Sequence, residues 1–269
     1  MPVITTPSAG SRAWHGSRRV ARPAGARAAA VLFAAGTGLG VITAVLHPHR
    51  EDPNDHARVF TEYAASHTWE WVHDLQYLAA AMVAAGFVAL YHALTQHRPP
   101  NLLTRLGLAG AAVTTAVIGV NMAVDGVALR HAVQAWVNAP PDQRPERFAA
   151  AEAIRWLEWG ANSLFLMQFG ATAALFAISL ARHTKKLNVP AVAGLAAAAL
   201  LIVNGYHVGA TGFVPTRLPL LAAALFLVMS WGVFRLRPVT SQPAATSPST
   251  GASATARPAR WPIWQRPTG

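Results

Sequence analysis

Ten polar side chains stand inside or at the edges of long apolar runs, and these are the residues whose types could do chemistry. His73, Gln76 and Tyr77 share one helical face of HTWEWVHDLQYLAAAM (67–82), with Trp69 one turn above them. Asn121 and Asp125 are four apart in the next apolar run. Arg155, Glu158 and Asn162 make a stripe in the one after, with Gln168 deeper, and Asn204 and His207 sit near the end of a fifth. Charged groups at such depth face a bundle interior or water, because facing lipid near the bilayer centre costs several kcal/mol. The ten are therefore candidates for an outward-open polar pocket that binds a small molecule, with Glu158 or Asp125 paired to Arg155 or Arg130. Two plainer readings compete. Polar residues near helix ends reach headgroups, with Trp69, Trp71, Trp136, Trp156 and Trp159 as an aromatic belt. Asn and Gln also bond neighbouring helices, for under about 1–2 kcal/mol each.

Histidines offer a second chemistry. His47 and His49, with Asp52 or His56, supply imidazole and carboxylate donors to zinc or copper, although neither spacing is a tight motif. His73 and His207, on different helices, could ligate a haem between them. No H-E-x-x-H, Walker loop or G-x-S-x-G is present, so no catalytic residue and no cofactor is specified. GTGLGV (36–41) lacks the last glycine of a dinucleotide fingerprint, and Gly36 and Gly40 read as a close helix-packing face. Cysteine is absent, which excludes disulfides, thiolate metal sites and thiol nucleophiles.

The elements that position these residues follow from hydropathy. The 269-residue chain is 53% hydrophobic and 12% charged, about half the charge of a soluble protein. Six segments meet the standard of roughly 20 apolar residues that span a bilayer: about 28–46, 71–95, 102–128, 153–181, 190–208 and 218–236. Pro190 and Pro219 fall in first helical turns, where proline is tolerated. From Glu146 to Arg182 is about 55 Å of helix, so the fourth span must protrude or tilt.

The net charge of +11 is a topology signal. With the N-terminus in the cytoplasm, fifteen Lys and Arg lie inside and seven outside, and all eleven acidic residues fall outside or at outer span ends. Nucleic acid is accordingly not an expected partner; the lipid bilayer is. Counting from Arg98, Arg105 and Arg182, Asp74, Asp125 and Glu158 come out about 30–36 Å away, in one outer stratum. SRRVAR (17–22) is similar to a twin-arginine export signal, but it reads better as the cytoplasmic anchor of the first span. Residues 238–256 have a disordered composition, and Trp261, Ile263 and Trp264 among arginines suit an anionic membrane surface.

Two outer connections look structured. In 47–68, Asp52 can cap a short helix with Pro53 in its first turn, and Val59, Phe60 and Tyr63 then share one side. In 129–151, the third helix continues to a Pro-rich turn at 139–145. The run H-P-x-x-E-D-P-N-D-H, then F-x-E-Y-A, then W-x-x-V-H-x-x-Q resembles a group of uncharacterised six-span bacterial membrane proteins over residues 47–77. That resemblance implies a multi-pass membrane protein and carries no activity.

The expected architecture is an all-α, six-helix transmembrane bundle with an outer helical cap. It comprises a cytoplasmic basic segment (1–27), a membrane domain (28–237) and a cytoplasmic tail (238–269). The expected location is the plasma membrane, both termini inside. The leading functional expectation is a non-catalytic or ligand-binding membrane protein whose outer-facing polar pocket takes a small ligand or partner. The alternatives are a redox, metal- or haem-handling protein using outer histidines, and a structural subunit without a ligand.

Overall fold

A computed structural model describes residues 24–48, 50–213 and 217–236, and the described residues are helical apart from turns and short connections. The helices are α1 (Ala24–Leu46), α2 (His56–Ala65), α3 (Trp69–Thr95), α4 (Leu102–Met122), a π-helical segment (Ala123–Leu129), α5 (Arg130–Val137), α6 (Arg144–Thr184), α7 (Val189–Thr211) and α8 (Leu218–Phe234). The basic N-terminal segment before residue 24, the tail with Trp261, Ile263 and Trp264, and His49 lie outside the described residues.

Five helices are long and apolar enough to cross a membrane: α1, α3, the continuous Leu102–Val137 rod, α6 and α7. The chain is an all-α, multi-pass membrane protein. The sixth expected span is a shorter apolar helix, α8, of 17 residues, about 26 Å long against a hydrocarbon core of about 30 Å. Only 28–39% of the most apolar stretch of each long span is buried within the protein. Val31, Ile42, Val120 and Leu164 point outward instead, as a lipid-facing surface requires.

Packing closes a ring. α3 lies between α1 and α4, α4 packs on α6, α6 on α7, α7 on α8, and α8 returns to α1. Small residues permit the closest approaches: a Cβ on Gly36 would stand 2.7 Å from the Ala79 carbonyl oxygen, so α1 and α3 meet nearly backbone to backbone. Gly40, by contrast, has Ala79 Cβ as its nearest neighbour at 3.9 Å and is less tightly packed. In the half of the ring away from α2, aromatic rings fill the centre. Phe33 meets Phe87 and Phe226 edge-on at 5.0 and 5.1 Å, and Phe87 stacks on Phe176 at 4.9 Å. Offset and edge-on geometries are those that aromatic quadrupoles favour.

The other end carries a cap. α2 starts three residues later than the sequence suggests. Asp55, not Asp52, is its N-cap and accepts from the Arg58 N–H at 3.3 Å, while the Asp52 carboxylate takes the Asn54 N–H at 2.9 Å in the turn before the helix. Asp55 wins because its carboxylate reaches the open amide of the third helical residue, Arg58, whereas Asp52 is spent on its own turn. Val59, Phe60 and Tyr63 share one buried face, as their spacing predicts, and join Trp69, Leu129, Val133 and Ala151 in a second core.

The last carbonyls of α2 have no partners within the helix. The Arg130 guanidinium donates to the carbonyls of Tyr63 and Ser66, and the Gln134 amide donates to that of Ala64. α2 is thus fastened to α5 and caps the bundle. The extra length of α6, 41 residues or about 60 Å, belongs to the same cap, where Phe148 packs on Phe60 and Trp136. Trp69, expected in an interfacial belt, is fully buried and donates its indole N–H to the Gly126 carbonyl at 3.0 Å. Burial with a satisfied N–H makes it a core residue.

Candidate functional site

Between the cap and the aromatic core the ring borders a partly open cavity of about 1000 Å3. Its deep walls are apolar, with Val83, Phe87, Ile118, Phe169, Leu201 and Phe226. At the α2 end the lining is polar and includes His47, Gln76, Asn121, Asp125, Arg155, Glu158 and Asn162. Six of the ten candidates read from the sequence therefore border one space.

The other four are placed differently. His73 is buried behind Asp125 rather than on the cavity wall. Tyr77 is 43% exposed on the outer side of α3. Asn204 is buried on α7, outside the lining, and His207 is exposed beside Tyr206. His73 and His207 accordingly do not form the facing pair that haem ligation needs. The walls also extend beyond the second to fifth apolar runs, which carry the ten candidates. α1 contributes Gly36, Thr37, Gly40, Val41 and Ala44, and α8 contributes Pro219, Leu220, Ala222, Ala223 and Phe226, whereas α7 gives Leu201. The sequence reads Gly36 and Gly40 as a packing face. Gly36 does pack, but one side of the same small-residue stripe leaves room for the cavity.

Two clusters organise the polar end. In the first, Arg155 and Glu158, one turn apart on α6, are both 2% exposed and are joined by a hydrogen bond. Arg155 also donates to the Pro53 carbonyl at 3.2 Å and stacks over the rings of Phe213 and Tyr63, 4.9 and 5.5 Å from their centroids. The guanidinium thus ties α6 to the segment before α2. Arg130, the other cation considered as a partner for Glu158 or Asp125, reaches Glu70 at 3.5 Å instead. Burial raises the Tyr63 hydroxyl above the ordinary range, against the opposing field of Arg155.

The second cluster joins three elements. His47 is the first residue past α1, His73 lies in the second turn of α3, and Asp125 is in the π segment. One nitrogen of each imidazole and one carboxylate oxygen lie within 4.8 Å of one another. His73 Nε2 is 3.1 Å from Asp125 Oδ2, and the His47 and His73 rings are 5.2 Å apart. The Nδ1 atoms face backbone carbonyls, His73 at Trp69 (2.7 Å) and His47 at Pro48 (2.9 Å). A carbonyl only accepts, so both Nδ1 atoms carry protons and the lone pair of each neutral ring is on Nε2. Burial lowers the pKa of His47, outweighing the pull of Asp125 in the other direction.

The wide turn of the π segment sets Asp125 and Gly126 against His73. A 3.6-residue periodicity does not reveal such a turn, and the spacing of His47, His73 and Asp125 forms no local motif. His56, grouped with His47 in the sequence reading, sits apart on α2. It bonds Glu152 at 2.8 Å and stacks on Phe60.

Comparison with models of protein families, with curated proteins and with solved structures found no match to this chain.

Proposed function

We propose that the protein is a six-span membrane protein, both termini cytoplasmic, whose cavity opens to the outer side and binds a small amphipathic molecule. On this reading α8 is the sixth span, accommodated by local thinning of the bilayer. The group of six-span bacterial proteins that residues 47–77 resemble is its proposed kin. The observation that carries the reading is the two-part lining of one cavity, polar at the α2 end and aromatic at depth. From His73 to Phe87 is about 21 Å along α3, enough for a medium-length apolar tail below a polar head. The volume of about 1000 Å3 is that of a site for a sizeable small molecule. Asp125, Glu158 and Arg155 supply both signs of charge to the head, and the positive-inside asymmetry supports the outward orientation.

A dansylated fatty-acid probe tests this on the purified protein in detergent. One saturable site per chain is expected, lost in Ala84→Trp and Ala223→Trp, which fill the lower cavity. Non-saturable partitioning, equal in wild type and both variants, would remove the cavity from the account.

A further inference from the structure

We propose that His47, His73 and Asp125 form a zinc site, with His47 Nε2, His73 Nε2 and the Asp125 carboxylate as its three protein ligands.

The arrangement of protons argues for a cation. With Nδ1 of His73 donating to the Trp69 carbonyl, the Nε2 lone pair of the neutral ring points at a carboxylate oxygen 3.1 Å away. Two acceptors at that distance need a proton or a cation between them. A proton on His73 would meet the need of Asp125 Oδ2 alone. It would leave Oδ1, which is buried and has no hydrogen-bond partner among the described residues, unanswered. It would also set an imidazolium 5.2 Å from the His47 ring, which is an unfavourable place for a second imidazole to gather. A divalent metal accounts for all three groups at once.

The donor set and its supports fit zinc. Zinc–nitrogen bonds of 2.0–2.1 Å in a tetrahedron give ligand-to-ligand edges of about 3.3 Å, and the His73–Asp125 pair is already near that length. The widest separation, within 4.8 Å, closes by rotation of the His47 side chain, which stands at the end of α1 with its backbone N–H still bonded to the Thr43 carbonyl at 2.9 Å. Each histidine has its other ring nitrogen held by a backbone carbonyl, the outer-shell contact that fixes tautomer and ring orientation in zinc sites. Two imidazoles and a carboxylate without thiolate suit zinc and leave a fourth position. His47 and Asp125 both line the cavity, so that position faces it and takes water or an oxygen of the cavity's ligand. The site stands on these three side chains alone and does not depend on what the cavity holds.

Zinc binding to the purified full-length protein decides the matter. After chelator treatment and re-addition of zinc, one equivalent per chain is expected by elemental analysis. His73→Gln, Asp125→Asn and His47→Ala should each weaken it by more than about 100-fold, since loss of even an outer-shell partner costs 10–100-fold. His56→Gln should retain it. His47 lies outside any helix, so His47→Ala decides if the other two variants fail to fold. X-ray absorption on zinc-loaded wild type needs no variant, and two imidazoles in the first shell are expected. Absence of equimolar zinc, binding unchanged in His47→Ala, or a first shell with fewer than two imidazoles would overturn the proposal. Saturable fatty-acid binding by a protein that takes up no added zinc would overturn this site and leave the cavity reading intact. The reverse result would separate them in the other direction.

Discussion

Gly126 lies so close to His73 that a Cβ in its place would stand 2.9 Å from His73 Cβ and 3.2 Å from Cγ. The contact is between the π segment and the second turn of α3. It brings Asp125 to His73, because the neighbouring residue can approach without a side chain. Gly126→Ala must push the two elements apart. The expected loss is about 1–3 kcal/mol, the usual cost of overpacking, seen as a lower thermal midpoint in detergent. Gly160, on α6, has nothing within 4 Å of its added Cβ, so Gly160→Ala should be neutral or stabilising by up to about 1 kcal/mol. Equal midpoints for the two variants would contradict the close contact.

Arg155 and Glu158 are a buried ion pair, and removing one member strands the other. Arg155→Met should destabilise by about 3–5 kcal/mol, while the double variant Arg155→Met, Glu158→Leu should recover much of the loss. Thermal midpoints of wild type, single and double variants form the test. A double variant worse than Arg155→Met would show that Glu158 does not depend on this guanidinium.

The cap is fastened through carbonyls. Arg130→Ala removes the donors to Tyr63 and Ser66, and each charged hydrogen bond is worth about 1.5–3 kcal/mol. Hydrogen exchange across 56–68 should quicken in this variant while α7 stays unchanged. Exchange that stays slow throughout 56–68 would mean that the apolar face of α2 holds the cap without Arg130.

Much of the bundle was legible because lipid imposes length and polarity. Apolar runs of about 20 residues mark the five long spans, and the 3- and 4-residue spacing of Val59, Phe60 and Tyr63 marks the buried face of α2. Asn121, Asp125, Arg155, Glu158 and Asn162 were found by depth, since charges in spans turn inward. The rest depends on contacts between distant segments. His47 and Asp125 are far apart in sequence, and their meeting depends on a π turn that periodicity does not show. Trp69 looked interfacial because it opens a span, yet α2 and the π segment cover it. α1 joins the cavity wall through Gly40 and Thr37, which pattern alone cannot separate from the packing glycine Gly36.

Orientation has its own test. A reporter active only outside the cytoplasm, fused after Lys186, should be silent, because the end of α6 and the turn after it carry Arg182, Lys185 and Lys186. Activity there would reverse the account of which end is outside.

The central claim is that the cavity opens to water at the α2 end on the outer side, and the chain's lack of cysteine makes it directly measurable. Asn162 is half-buried and lines the cavity, and nothing else in the protein competes for a thiol reagent in Asn162→Cys. In intact cells a membrane-impermeant maleimide should label Asn162→Cys and leave Lys186→Cys untouched until lysis. Labelling of Lys186→Cys in intact cells, with Asn162→Cys protected, would contradict the account.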